Sequence, residues 1–156
     1  MVKLDGQQVE IVGRHVLIAH LLSAGIEVAE PMRDRGIDLI AFTEGKNGGK
    51  FNACPIQLKA STNQSFGWDE KYKDYPDLRI IFVWQATSPK DSEFYCLTYA
   101  QVERIVRDMN YKPSGKRWVS TKPSKEVRDL LKKNYEVTVP QDWLSKLGFT
   151  GHNQSN

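Results

Sequence analysis

The chain has 156 residues, 40% hydrophobic and 26% charged, a balance that is ordinary for one soluble globular domain. Its 22 Lys and Arg against 19 Asp and Glu give a formal net charge of +3, which permits an anionic partner without requiring one. No apolar run reaches transmembrane length and the N-terminal residues lack the apolar core of a secretion signal, so we expect a cytoplasmic protein with no membrane association. We predict a single domain over residues 1–150 and a disordered polar tail over residues 151–156.

Three stretches repeat apolar residues at the spacing of a helix. The first covers residues 7–24 and is followed by Gly25, a residue favoured directly after a helix. A second helix is predicted over residues 100–109. The third and last follows Ser124, which is placed to cap a helix that continues to about Lys133.

Apolar runs bounded by turn formers predict five strands. They cover residues 26–32, 36–42, 51–61, 78–86 and 93–99. Pro55 has no backbone donor, so its strand is expected to begin there or to carry a bulge. Residues 62–77 are polar, aromatic and irregular, which predicts a loop with room for one helical turn. The order of these elements predicts a mixed α/β domain in which one central β-sheet is flanked by helices.

The second and third predicted strands carry polar side chains among apolar neighbours. Asp38 shares a side with Ile40 and Phe42, and Gln57 and Lys59 share one side of the next strand. If these strands pair as a hairpin with the polar sides aligned, an acid, an amide and an amine converge. Such a trio is costly to bury as structure alone, so it is the best candidate for a site of chemistry.

These residues, taken in order, resemble the PD-(D/E)xK superfamily of restriction-endonuclease-like nucleases, which includes Holliday-junction resolvases and some homing endonucleases. Asp38 would match the strand aspartate of the family, and residues 57–59 would match its (D/E)xK triplet. Glu10 is similar to the glutamate that many members carry on the first helix. The resemblance covers roughly residues 7–100; no Pro-Asp dipeptide precedes the motif, and Gln57 carries no charge.

This resemblance implies a metal-dependent endonuclease that hydrolyses DNA phosphodiester bonds, in homing, restriction or junction resolution. The reaction needs activated water and neutralised phosphate charge, both of which a hard divalent cation provides. Mg²⁺, or Mn²⁺ in its place, would be bound by Asp38, the Gln57 amide oxygen, the Leu58 carbonyl and Glu10. Lys59 would lie beside the attacking water and the scissile phosphate. Compact members of the superfamily act as dimers or larger homo-oligomers, so we expect the same here.

Two alternatives remain open on these residues. The same fold can be a catalytically inactive module that binds nucleic acid or protein, and the uncharged Gln57 favours that reading. The trio can also be purely structural, with Asp38 paired to Lys59 and the Gln57 amide bonded to neighbouring backbone. Glu10 can simply pair with Arg14, four residues along the helix.

Further candidate contacts to DNA lie outside the trio. Ser61 and Thr62 follow the third strand and can donate hydrogen bonds to phosphate oxygens. The other candidates are residues of two basic, turn-rich segments, the hairpin connector and residues 111–125: Lys46, Lys50, Lys112, Lys116, Arg117 and Trp118. Solvated turn lysines are the alternative for these.

The cysteines and histidines do not form a predicted metal site. Cys54 and Cys96 lie in strand-like runs without the spacing of a metal pair, so we expect them to be reduced, buried and structural. His15, His20 and His152 do not make a ligand set, which argues against zinc.

Overall fold

The computed structural model describes residues 3–33, 35–45, 49–111 and 118–149, and the backbone alone of Trp118. In chain order the elements are α1 (Gly6–Ser23), β1 (Glu27–Ala29), β2 (Leu39–Thr43), β3 (Asn52–Ala60), β4 (Phe66–Asp69), a 3₁₀ helix (Glu70–Asp74), β5 (Arg79–Trp84), β6 (Glu93–Thr98), α2 (Tyr99–Asp108), β7 (Trp118–Thr121), α3 (Lys125–Asn134), β8 (Glu136–Val137) and α4 (Asp142–Lys146).

Six strands form a central sheet in the order β1-β2-β3-β5-β6-β8. β3 and β5 run parallel, and every other neighbouring pair in this sheet is antiparallel. Helices cover both of its faces, so the predicted mixed α/β fold with a central sheet is confirmed. Strands β4 and β7 add a small second sheet that the sequence patterns did not indicate.

Helix α1 lies tightly against the sheet. It begins with a capping box in which the Asp5 carboxylate accepts from the Gln8 backbone and the Gln8 amide oxygen accepts from Asp5. Gly25, with φ of +75°, follows the helix as expected. In the middle, Gly13 faces β3 so closely that a Cβ at this position would overlap the Cβ of Ala60. A glycine is therefore what lets α1 reach β3.

The two faces of the sheet bury two separate cores. The first lies under α1 and α4 and contains apolar side chains such as Leu17, Leu39, Ile56, Leu58 and Trp143. The second lies under α2, α3 and the small sheet and contains mainly aromatic and branched side chains, among them Phe66, Tyr72, Phe82, Trp84 and Val106. Strand β5 contributes to both cores, as its nearly continuous apolar run predicts.

The predicted helical turn within residues 62–77 is present as the 3₁₀ helix, but the prediction of a loop for the rest of the segment is wrong, because it contains β4. Tertiary contacts hold it: the ring of Phe66 stacks on Phe82 at 5.1 Å, and the indole of Trp84 donates to the Ser65 carbonyl at 2.6 Å. A four-residue strand of this kind depends on its partner, and that partner, β7, lies about fifty positions further along the chain.

Other boundaries also differ from the predictions. The first strand is confined to Glu27–Ala29, and the helix capped by Ser124 is followed by β8 and α4 rather than being the last element. β3 runs through Pro55 in an unbroken register, so this strand neither begins there nor bulges. Pairing with β5 starts only at Ile56, so the missing donor of Pro55 falls where β3 has no partner on that side.

Cys54 and Cys96 are free and buried, as predicted. Burial raises the pKa of Cys54 to about 11 and that of Cys96 to about 12, so both thiols stay protonated at neutral pH.

No helix of the described residues has the length and apolar character needed to cross a bilayer. The predicted tail over residues 151–156 lies outside the described residues.

Candidate active site

The site forms where β2 leaves the edge of β3 uncovered. The register of this pair ends at Leu39 opposite Ile56, and Asp38 stands just before β2, its backbone N–H bonded to the Ile56 carbonyl at 2.8 Å. One step further along β3, the backbone N–H of Leu58 has no strand to pair with on this side. It donates instead to Oδ2 of Asp38, at 2.6 Å. The carboxylate thus continues the sheet by means of a side chain.

The amide of Gln57 completes this arrangement. Its Nε2 donates both to Oδ2 of Asp38, at 2.6 Å, and to the carbonyl oxygen of Leu58, at 3.1 Å. Gln57 is only 7% exposed, so its bond to Leu58 is buried, whereas its bond to the half-buried Asp38 is partly buried. The structure therefore brings together three of the four predicted metal ligands at one point.

This point has the donor chemistry of a site for a hard cation. The Gln57 amide nitrogen places its partly positive hydrogens between two oxygen atoms, which is where a cation would have the same two ligands. Turning the amide about its last torsion would present Oε1 instead and make a third oxygen ligand. Oxygen ligands suit Mg²⁺ and Mn²⁺. The set carries one negative charge, and the described residues contain no group of three or more His, Cys, Asp or Glu that could hold a metal.

Lys59 lies on the same side of β3 as Gln57 and is held by Tyr72. Its Nζ is 3.3 Å from the Tyr72 hydroxyl and 5.3 Å from the ring centroid. Tyr72 is buried, Nζ of Lys71 lies 4.9 Å from its ring centroid, and Gly36, with φ of +88°, packs against its edge. One aromatic side chain thus contacts both the ammonium of Lys59 and the turn that leads to Asp38. An ion pair between Asp38 and Lys59 is not among those of the described residues.

A cleft of about 220 Å³ opens between β3 and the small sheet, with Lys59 on its wall. Four further polar side chains line it: Ser61, Ser65, Asp69 and Ser120. Of these only Ser61 was a candidate from the sequence, because the others come from β4, β7 and the residue before β4. The one sequence signal for Ser65 and Asp69 is the polar, aromatic composition of residues 62–77, and composition does not show which strand faces the site.

Glu10 stands apart from these contacts. It lies on α1, over the opposite face of the sheet, and its half-exposed carboxylate accepts from Arg14 at 2.9 Å. Arg14 also reaches Glu30, at 3.5 Å. The structure therefore shows the surface ion pair that the helical spacing allowed, and it gives Glu10 no contact with Asp38, Gln57 or Leu58 among the described residues.

The candidate DNA contacts fall at different places. Ser61 lines the cleft, and Thr62 lines a neighbouring groove. Lys50 lies at the other end of β3, in a groove with Arg79, and the length of the strand puts about 27 Å between its two ends. Lys46, Lys112, Lys116, Arg117 and the side chain of Trp118 lie outside the described residues.

Comparisons with known proteins give a distant structural likeness. No protein-family model matches the chain, and no curated protein matches its sequence. Among solved structures, a bacterial homing endonuclease, I-Ssp6803I, is similar with a TM-score of 0.46 and 13% sequence identity, over 84% of this chain and 94% of that one. A likeness this distant carries no argument about function, and the site has to be judged by its own side chains.

Proposed function

We propose that this protein is a metal-dependent endonuclease that hydrolyses phosphodiester bonds in DNA. One observation carries the proposal: the Asp38 carboxylate, the Leu58 carbonyl and the Gln57 amide meet at a partly buried point of β3, with Lys59 one residue further on. Taking a carboxylate and an amide out of water costs free energy that their hydrogen bonds offset only in part, so stability alone is weak grounds for placing them here.

The residues divide into two roles. Asp38, Leu58 and Gln57 would hold Mg²⁺ or Mn²⁺ through oxygen atoms, and such an ion, when bound, supplies a reactive water and neutralises phosphate charge. Lys59, on the cleft wall, places its ammonium where it can stabilise charge that develops on a phosphate oxygen. Tyr72 holds that ammonium through its hydroxyl and its ring, and so limits the positions that Nζ can take.

The cleft gives the phosphate a place beside Lys59. Three serine hydroxyls, those of Ser61, Ser65 and Ser120, line it and can donate to non-bridging oxygens. The cleft lies at the carboxyl end of β3, which is parallel to β5, and ligands of α/β proteins commonly bind outside the carboxyl ends of such strands. A duplex has two strands to cut, so a homodimer or larger homo-oligomer is the assembly that we propose.

Gln57 has a consequence for the metal. An amide in place of a carboxylate removes one negative charge from the ligand set, so the ion is bound more weakly than by two carboxylates. We expect activity to need about millimolar metal, and Mn²⁺ to support it at lower concentration than Mg²⁺ because Mg²⁺ demands near-ideal octahedral geometry and gives up its water reluctantly.

One observation favours a second function, an inactive module that binds DNA without cutting it. The trio contains one carboxylate, that of Asp38, and the described residues contain no group of three or more His, Cys, Asp or Glu that could hold a metal. Such a module would keep the cleft and Lys59 as a phosphate contact and would show no metal-dependent chemistry.

A cleavage assay separates the two functions. Supercoiled plasmid and branched DNA are incubated with Mg²⁺ or Mn²⁺ and with wild type, Lys59→Ala or Lys125→Ala, a control that removes an exposed lysine of α3 paired with Asp129. We expect nicking by wild type and by the control, and a loss of at least about 100-fold in Lys59→Ala. DNA binding without any cleavage by folded wild type would favour the inactive module.

A further inference from the structure

A second groove, which we name the amide groove, lies beside the catalytic cleft. It encloses about 600 Å³ and is lined by Thr62, Asn63, Gln64, Gln85 and Lys122. Every lining side chain is polar, and three of the five end in a carboxamide. The groove is continuous in sequence with the cleft, because Ser61 lines the cleft and Thr62, the next residue, lines the groove.

Two of the three chain segments that line the amide groove are tied together by their backbones. The N–H of Ser61 donates to the Val83 carbonyl at 3.0 Å, and the N–H of Ala86 donates back to the Ser61 carbonyl at 2.9 Å. The hydroxyl of Ser61 also bonds the Asn63 carbonyl. The loop after β3 and the turn after β5 are therefore held in one relative position, and a groove between them keeps its shape.

Gln85 is held in an unusual conformation on one side of the groove. Its φ of +54° is in the left-handed region that non-glycine residues rarely adopt. Its carbonyl accepts from the Ser88 backbone and the Ser92 hydroxyl, and its amide donates to Glu93 at 3.0 Å. Tyr95 donates to the same Glu93 carboxylate, and burial together with that carboxylate raises the pKa of Tyr95. A network of this extent fixes the direction of one side chain at the rim of the groove.

The amides of Asn63 and Gln64 are available to a ligand. Within the described part of the chain neither side chain makes a hydrogen bond, and both line the groove. A carboxamide presents a donor and an acceptor side by side, and this pair matches the N6 amino group and the N7 of adenine in the major groove. Lys122 adds a positive charge at the same groove, suited to a phosphate of the same strand.

We infer that the amide groove reads base edges of duplex DNA next to the scissile phosphate, with a preference for adenine set by Asn63 and Gln64. This inference rests on the proposed function for the position of the cut. Duplex DNA is favoured over duplex RNA because the major groove of B-form DNA admits protein side chains, whereas the corresponding groove of A-form RNA is too narrow. The enzyme is then sequence-selective at one or two base pairs beside the cut.

A binding selection tests the inference independently of cleavage. Random-sequence DNA duplexes are selected in Mg²⁺ with Lys59→Ala alone and with Lys59→Ala combined with Asn63→Ala and Gln64→Ala, and the bound sequences are compared. A third protein combines Lys59→Ala with Gln141→Ala, an exposed amide at the start of α4 whose side chain makes no capping bond. We expect an adenine-containing motif with Lys59→Ala and with the Gln141 control, and a preference for adenine lowered about tenfold without Asn63 and Gln64.

Three outcomes would overturn the inference: no enriched motif, a motif that survives the loss of both amides, or binding to single-stranded RNA in preference to duplex DNA. Cleavage of the enriched duplex by wild type in Mg²⁺ is measured in parallel. An adenine motif without cleavage would leave the base reading in place and reject the nuclease, whereas cleavage at unrelated sequences would do the reverse.

Discussion

The two faces of the six-stranded sheet differ in how they are built. On the face under α1, an apolar helix meets apolar strand positions, and the closest contact is made by a glycine, Gly13, against Ala60. On the other face, β3 presents Gln57 and Lys59 where apolar residues would pack, and a small sheet from distant parts of the chain encloses them. The first face supplies stability by burial, and the second sacrifices some burial to hold polar groups in place.

This difference between the two faces predicts which property of the protein a substitution on each face will alter. A substitution under α1 is expected to alter the free energy of unfolding, whereas one at the polar edge of β3 is expected to alter chemistry first. Three substitutions and one change of pH test this contrast between the two faces, and their expected free-energy effects decrease from Asp38→Asn to the change of pH.

The largest effect is expected from Asp38→Asn, which keeps the shape and an oxygen that can accept from the Leu58 N–H but loses the charge. Cleavage in Mg²⁺ should fall by about 10²- to 10³-fold, because the variant lacks the carboxylate that we propose as a metal ligand. Urea unfolding should change by less than about 1 kcal/mol, since the hydrogen bond survives. A variant that cuts normally, or one that fails mainly by unfolding, would make the trio a structural feature.

Next comes Gly13→Val on the opposite face. The added side chain would overlap Ala60, and overpacking of this kind costs about 1–3 kcal/mol. The matched control is Gly6→Ala at the start of the same helix, where an added Cβ meets no atom within 4 Å. Urea denaturation of both should show a lower midpoint for Gly13→Val alone, with the metal dependence of cleavage unchanged in the folded fraction. Equal midpoints would mean that α1 does not press on β3 as described.

Gln57→Glu tests whether the polar edge of β3 binds the metal. In the absence of a cation, the new carboxylate at position 57 and the Asp38 carboxylate repel each other. When Mg²⁺ is present, the two carboxylates should bind it about tenfold more tightly than the wild-type site does, which corresponds to about 1.4 kcal/mol. Thermal unfolding should then rise with added Mg²⁺ more steeply in Gln57→Glu than in wild type or in Gln141→Glu, an exposed amide changed in the same way. Equal Mg²⁺ responses in all three would place the metal elsewhere.

The smallest effect concerns pH and the α1 face. His20 stacks on Phe94 at 4.4 Å, and its Nδ1 accepts from the indole N–H of Trp143 at 2.6 Å. Burial lowers the pKa of His20 below its usual 6.5, so the neutral ring is favoured in the folded state. The stability that this ring contributes is present above about pH 6.5 and is lost as the pH falls through the lowered value.

Unfolding free energies between pH 8 and pH 5 check this expectation. Wild type and His15→Gln, a control at an exposed histidine of the same helix, should lose stability more steeply on acidification than His20→Gln. The same slope in all three proteins would contradict it. Cleavage chemistry is not expected to follow this slope, because His20 lies on the face opposite to Lys59.

The sequence by itself determined the parts of this protein that depend on periodicity and on local chemistry. Apolar spacing is enough to predict α1, β5 and the central sheet, because each element buries a continuous side of its own. Alternation along neighbouring strands is enough to bring Asp38 and Gln57 to one place, since residues two apart share a face and adjacent strands pair.

Only the tertiary structure decided the remaining features. The small sheet joins Phe66 to Thr121, and no local pattern in either four-residue strand specifies such a partner. Tyr72 reaches Lys59 because the 3₁₀ helix folds over β3, and Leu58 meets Asp38 because β2 begins at Leu39 and not earlier. These contacts arise from where elements end and which distant segments cover them, and both are set by packing of the whole chain rather than by the residues on either side.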